Sequence, residues 1–301
     1  MNIRIGGTLR YNVAIMSSAI STAPLLLLLL GACRSFDEVP SYLSVPSVTL
    51  TTLPEQGEPT SKITDAWVSV NGKFMGVWEL PARIPVLAEG TNRVTVVSAI
   101  KRNGTYDDRL RYPFFTSWEG NVDLNTRETA SVAPSTTYAS NTTFTVEPFD
   151  AVGTIMDAAD SGDTLLIFRP EVDPDLVRDG TPVGGVELTS SNPIARVHTD
   201  LNLGASAGPV FLEMDYSTDV ELTVGVEYRQ EGFDISEPVV KVVPTTSNGR
   251  TPAWNKIYID LSTLFNTSGL SSRDIYIEGR LGPGGSSGLF LMDNLKLVRR
   301  Q

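Results

Sequence analysis

Beyond about residue 40, apolar and polar residues alternate nearly one for one, the period of strands with one buried face. "ITDAWVSVNGKFMGVWEL", residues 63–80, sets Val68 and Val70 on one phase and Trp67 and Ser69 on the other, then turns at Asn71-Gly72 into a second apolar run. Asn-Gly between alternating runs is the strongest short hairpin signal. "PARIPVLAEGTNRVTVVSAIKRNG" continues with a Glu89-Gly90 turn, a strand through Val94, Val96 and Ile100, and another Asn-Gly at 103–104. From 144 onward come about ten short strands, among them "DTLLIFRP", "VFLEMDY", "VELTVGVEYR", "NKIYIDL", "DIYIEGRL" and "GLFLMDNLKLV", a density that predicts a sandwich or jelly roll. Only "STLFNTSG", 262–269, has the look of a helical turn. The expected fold class is all-β: a small sandwich over 47–143 and a jelly-roll sandwich over 144–301. "RETASVAPSTTYASNTT", 127–143, reads either as a linker or as a polar edge strand followed by one.

The first forty residues break this pattern. Six leucines, 25–30, end an apolar stretch interrupted by Asn12, Ser17, Ser18, Ser21, Thr22 and Pro24. The uninterrupted part falls far short of the roughly 20 apolar residues of a membrane span. Arg4 and Arg10 lie upstream, no acid occurs before Asp37, and the small residues Gly31 and Ala32 follow, the order of a secretory signal peptide over 1–32. Leu30-Gly31-Ala32-Cys33 resembles the lipobox of bacterial lipoproteins, which implies cleavage before Cys33 and its lipidation, palmitate included. Two or more acyl chains hold a protein at a bilayer where one would not. Residues 33–46, with Pro40 and Pro46, are expected to be a flexible tether. Asp37-Glu38 soon after the cysteine is similar to surface-exposed lipoproteins of the Bacteroidota, with Arg34-Ser35-Phe36 intervening. The resemblance implies an extracytoplasmic protein anchored by lipid to the outer membrane or cell surface.

Charge and composition narrow the chemistry. The net charge of -11 becomes -13 once Arg4 and Arg10 leave with the signal, which argues against nucleic acid as a partner. Cys33 is the only cysteine, so there is no intramolecular disulfide and no thiol chemistry after lipidation. His198 is the single histidine, and a zinc site or a catalytic triad would need its partners from afar. "LGPGGSSG" lacks the lysine of a nucleotide loop. A pair of carboxylates could hydrolyse glycosides, but no local motif selects a pair. The chain is therefore read as a non-enzyme.

"VSVNGKFMG" with "PVLAEGTNRVTV" resembles PEGA-like domains, small sandwiches of surface proteins. "FLMDNLKLV", with "VFLEMDYSTD" and "AWNKIYIDL", resembles galactose-binding-like jelly rolls, the fold of many carbohydrate-binding modules. Strand phase points the same way. Ile257, Ile259 and Leu261 share one face of their strand and leave Trp254, Lys256, Tyr258 and Asp260 on the other; Ile275 and Ile277 likewise leave Tyr276, Glu278 and Arg280 outward, and Leu222, Val224 and Val226 leave Glu221, Glu227 and Arg229 outward. On one sheet these would form a face of aromatic rings among charged groups, the equipment that takes a sugar by stacking and hydrogen bonding. Cross-strand pairs stabilising a half-exposed sheet use the same residues. Asp293 shares the phase of Leu289, Leu291, Leu295 and Leu297, the expected core side. The jelly-roll resemblance implies a structural calcium there, with Glu147 or Asp150 as a further ligand; a β-bulge at Asp293-Asn294, or capping of backbone N–H groups, accounts for the acid equally well. The acidic stretch "EVDPDLVRDG", 171–180, is expected to be a solvated loop, and "RYPFFTSW", 111–118, either core or an interaction loop. Together these point to a non-catalytic lipoprotein that binds a glycan or other extracellular polymer through its second domain. The alternative is a structural accessory subunit of a cell-envelope protein complex, and the third reading is a glycoside hydrolase.

Overall fold

The computed structural model describes residues 39–159, 163–246 and 251–300. The expected signal peptide, Cys33 and the first part of the tether lie outside these. Among the described residues no helix is long and apolar enough to cross a membrane. The fold is all-β, two β-sandwiches of which the second is a jelly roll.

The first sandwich uses β1 (Ser41–Val45), β2 (Thr49–Thr51), β3 (Asp65–Val70), β4 (Lys73–Glu79), β5 (Ala82–Val86), β6 (Gly90–Lys101), β7 (Arg109–Arg111), β8 (Trp118–Leu124), β9 (Thr129–Ser131) and β10 (Ser135–Thr137). One sheet runs β4-β3-β6-β7 with β8 also on β6, another β5-β1-β9, and β2 pairs with β10. Leu43, Val45, Val68, Ile84, Val94, Val96 and Leu124 fill the space between, as alternation requires. The β3–β4 hairpin turns at Asn71 and Gly72, both at positive φ (50° and 78°), the conformation for which Asn-Gly is suited. Two expectations are corrected here. Residues 41–45, assigned to the tether, are a strand held by β5 and β9. Residues 127–143 are no linker, since β9, β10 and the start of the next strand pack within them.

The jelly roll comprises β11 (Thr142–Glu147), β12 (Met156–Ala158), β13 (Leu166–Phe168), β14 (Val183–Thr189), β15 (Ile194–Thr199), β16 (Val210–Thr218), β17 (Glu221–Gln230), β18 (Phe233–Val242), β19 (Asn255–Asp260), β20 (Leu270–Arg280) and β21 (Ser287–Arg300), with α1 (Ser262–Asn266) after β19. Its inner sheet is β13-β14-β21-β16-β19, with β11 also on β21; its outer sheet is β12-β15-β20-β17-β18. Met214, Val224, Val226, Ile257, Ile259, Ile275, Ile277 and Leu297 meet between them, so the core phases expected for β17, β19 and β20 are those observed.

The two sandwiches belong to one compact unit. The far face of the inner sheet is covered by the first sandwich: Tyr112, Phe114, Phe115 and Tyr138 pack on Phe211, Tyr258 and Val298. Beside them Leu176 and Val177, from the stretch expected to be a solvated loop, pack with Trp254 on Phe168, Val183 and Leu291. Leu176, Val177 and buried Arg178 make that stretch a cover, while Glu171, Val172, Asp175 and Asp179 stay exposed as expected. Of the aromatic segment 111–118, Tyr112, Phe114 and Phe115 pack at the seam and Trp118 against the core of the first sandwich.

Candidate ligand-binding face

The residues expected to form one sugar-binding face fall on two sheets that back onto opposite sides of the jelly roll. Period 2 fixes which way a side chain points from its own sheet; it says nothing about which sheet that is or what covers it. On β19 the outward side is the seam. Tyr258 is 1% exposed, its ring 5.0 Å from Tyr112, its hydroxyl accepting from the Lys62 backbone N–H at 3.1 Å. Lys256 is buried, with Nζ 3.4 Å from Glu213 and 3.6 Å from Asp215. Asp260 accepts from Ser262 and lies 3.3 Å from Arg102 of the first sandwich. Trp254 packs under the 169–181 cover, with the Arg178 guanidinium 5.8 Å above its ring. Tyr258 and Lys256 are thus closed to a glycan, and the half-buried Trp254 and Asp260 are engaged with the cover and the first sandwich.

The acids named for calcium are not brought together either. β21 carries an extra residue at Asn294 (φ 48°), where the register with β16 shifts, and the bulge reverses the phase of what precedes it. Asp293 therefore points into the seam and not into the core. There Arg178 meets Asp293 at 3.1 Å, Asp215 at 2.6 Å, and Glu58. A guanidinium occupies the middle of these acids, the place a cation would take. Glu147 lines the opposite side of the sheet and accepts from Phe149 N, Ile155 N and Thr154 Oγ1, at 2.8, 2.6 and 2.7 Å. Asp150 is exposed. Among the described residues no group of three or more acids, histidine or cysteine has the geometry to hold a metal.

The jelly-roll face left open is that of the outer sheet. Register sets Arg196 and His198 on β15 beside Glu278 and Tyr276 on β20, and Glu227 on β17 beside Ser236 on β18. Arg196 is the hub: its guanidinium is 2.8 Å from Glu227 Oε1, 2.7 Å from Glu278 Oε2, and 4.2 Å above the Tyr276 ring. Tyr276 points outward as its phase predicted but is only 2% exposed because Arg196 lies over it. Glu278 also takes Arg280 at 3.1 Å. His198 Nδ1 lies 2.8 Å from Glu227 Oε2. Burial alone would raise the Glu227 carboxyl, but the His198 and Arg196 contacts outweigh it and the net shift is downward.

At one end this face opens into a cleft of about 360 Å³ lined by His198, Asp200, Asn202, Glu227, Asp234 and Ser236 among others. Asp274 anchors its wall, accepting from Thr199 Oγ1 at 2.8 Å and from the backbone N–H groups of Leu201 and Asn202 at 2.7 and 3.2 Å. Thus Tyr276, Glu278 and Arg280 of the expected site lie on this open face. Glu227 lies on this face too, as its phase on β17 predicted; Arg196 and His198 were not assigned to it from the sequence, although alternation in "ARVHT" puts both on the outward phase.

A jelly roll whose free sheet carries a polar cleft is the class of architecture this chain presents. No family model matches the sequence, and no curated protein matches it. Among solved structures, the chain is similar to the CBM22-1–GH10 portion of a Clostridium thermocellum endo-1,4-β-D-xylanase complexed with xylohexaose, at 11% identity over 52% of this chain and 28% of that one, TM-score 0.39. It is also similar to the CBM22-2 xylan-binding domain of Paenibacillus barcinonensis Xyn10C, at 11% identity over 52% of this chain and 99% of that one, TM-score 0.39. A family 29 carbohydrate-binding module matches at 13% identity over 52% and 91%, TM-score 0.34.

Proposed function

We propose that this protein is a lipid-anchored, extracytoplasmic, non-catalytic binding protein that holds a glycan in the cleft of its outer sheet. The observation that carries the reading is the His198–Glu227–Arg196 arrangement at the mouth of that cleft, on the one jelly-roll sheet whose far face no other part of the described chain covers. Sugar hydroxyls both donate and accept, and the cleft offers carboxylates, an imidazole, an amide and a hydroxyl within one span. The non-catalytic part rests on how its acids are engaged. Glycoside hydrolysis needs a carboxyl kept protonated as general acid. Glu227 is shifted the wrong way, Asp274 is held by three donors, Asp234 is paired with Arg229 at 3.0 Å, and Asp200 is exposed and accepts from Asn202 Nδ2 at 3.1 Å. Asp293, whose carboxyl is pushed up, lies in the seam. The anchor rests on the Leu30-Gly31-Ala32-Cys33 pattern and the basic, then apolar, segment before it.

The test is a glycan-array screen of the full-length protein in detergent, with Glu227→Gln and His198→Ala alongside. Binding to a defined glycan class that falls at least about tenfold in both variants supports the reading, since two charge-assisted contacts are removed. Binding unchanged in both, or no glycan bound, overturns it. For the anchor, Cys33→Ser should move the protein from the membrane to the soluble fraction and abolish palmitate labelling; retention in the membrane refutes lipidation at Cys33.

A further inference from the structure

The first sandwich also has an uncovered sheet face. Trp67 on β3 is outward, opposite in phase to Val68 and Val70, and unlike Trp78 and Trp118 it takes no part in the sandwich core. Its ring lies 5.4 Å from that of Phe74 across the hairpin, the two inclined by 34°, and Phe74 is 54% exposed. A part-buried indole beside a largely exposed phenyl leaves apolar ring surface facing water, with only Arg111 laid over part of it. Register places the half-buried Val77 and Val97 on either side of Trp67, with Ser69 opposite Phe74, Thr95 opposite Ser69, and buried Ala99 next to Arg111.

Charge completes the picture. Arg111 lies with its guanidinium 4.9 Å over the Trp67 ring, is exposed, and has no carboxylate paired with it among the described residues. The neighbouring cations are already engaged: Arg109 with Asp65 and Glu79, Lys101 with Glu79, and Arg93 with Glu119. An exposed guanidinium without a carboxylate partner, beside an aromatic pair, is a local anion acceptor even in a chain of net charge -11. We infer that this face is a second binding platform, on which the Trp67 and Phe74 rings stack against a sugar and Arg111 takes its carboxylate, so that the ligand is an acidic polysaccharide. The rings supply the apolar contact with the C–H face of the sugar, and the guanidinium reads the acid bidentately. The platform shares no residue with the outer-sheet cleft of the jelly roll and does not depend on it.

The probes are polygalacturonate, alginate and hyaluronate cast into native gels, with fully methyl-esterified polygalacturonate as the uncharged control, and the full-length protein in detergent as the migrating species. Retardation is expected in at least one acidic polymer and not in the ester. Trp67→Ala and Arg111→Gln should each weaken it about tenfold, while Trp67→Phe, which keeps a ring, should retain most of it. Glu227→Gln, in the cleft, should leave it unchanged. Should Trp67→Ala fail to fold, Arg111→Gln and Trp67→Phe carry the test. Equal retardation by the ester, undiminished retardation in Arg111→Gln, or loss in Glu227→Gln overturns the assignment. No retardation by any of the three acidic polymers overturns it too, and would give the rings to a protein partner.

Discussion

Tyr138 of the first sandwich donates its hydroxyl to the Glu213 carboxylate of the jelly roll, 2.9 Å from each oxygen, where neither side chain reaches solvent. Tyr112 donates to the same group at 2.8 Å, and Lys256 lies 3.4 Å away. A carboxylate removed from water in this way is tolerable only because donors from both sandwiches converge on it. Desolvation, with the Glu213 charge next, holds both phenols well above their ordinary range, so they remain donors. The seam is thus built like an interior, and it removes one sheet face from any ligand.

Tyr138→Phe should therefore lower the unfolding free energy by about 2 kcal/mol, the cost of taking a donor from a buried carboxylate. Urea denaturation followed by tryptophan fluorescence reads it, and the transition should stay single because both sandwiches lean on Glu213. A change within a few tenths of a kcal/mol would show that the Tyr138–Glu213 hydrogen bonds do not stabilise the seam.

Asp293 gives stability a pH dependence. Burial raises its carboxyl, Arg178 opposes, Glu58 adds to the rise, and the outcome is about 7 against an ordinary 3.8. The folded protein thus holds a proton that the unfolded chain has lost between these values, so this group's contribution is fully present below about pH 4 and declines as pH rises to about 7. Asp215 faces the same guanidinium with its carboxyl shifted down, by Lys256 foremost, and titrates below that window. Lys296, lowered to about 8 by burial, becomes charged at a cost below that value. Asp293→Asn should flatten the decline between about pH 4 and 7 and raise the urea midpoint at pH 8. A slope unchanged in the variant would assign it to another group.

Much of this was legible in the strands and little of it in the surfaces. Alternation gave the core phase of Val224, Ile257, Ile259, Ile275 and Ile277, and Asn71-Gly72 gave its hairpin, because both are set by residues near one another in sequence. Tyr258 was read as outward and is outward from its sheet, yet it is buried, because the covering aromatics come from residues 112–138. Asp293 turns away from the core through the bulge at Asn294, the alternative that its apolar phase had raised, while its partner Arg178 comes from a stretch with no periodic signal. Long-range cover leaves no mark within a strand's own sequence.

Arg196 should prove the keystone of the open face. Arg196→Met would leave Glu227 and Glu278 across the face without the cation between them and would uncover Tyr276. The expected loss is about 1 kcal/mol, reduced at high salt because the exposed carboxylate repulsion is screened. Urea midpoints at low and high ionic strength check it; a loss independent of salt would mean that the stacking on Tyr276, and not the charge, is what matters.

Gly225 ties that face to the backbone beneath it. A methyl group there would meet the Glu237 carbonyl oxygen at 2.3 Å and the Tyr276 ring at 2.5 Å, both closer than packed atoms approach. The strand register shifts at this point, between Val224 and Gly225, where β18 carries one extra residue, Val239. The carbonyl cannot yield without breaking the β17–β18 ladder, so Gly225→Ala must push the Tyr276 ring outward against Arg196. The expected cost is about 1–3 kcal/mol of stability, as for other overpacked sites. The same displacement would spoil the Arg196 contacts with Glu227 and Glu278, so glycan affinity should fall together with the melting temperature. Arg196→Met in the Gly225→Ala background should then cost less than it does alone, because the contacts it removes have already been lost. Full additivity of the two substitutions would show that Tyr276 does not transmit the strain to the guanidinium.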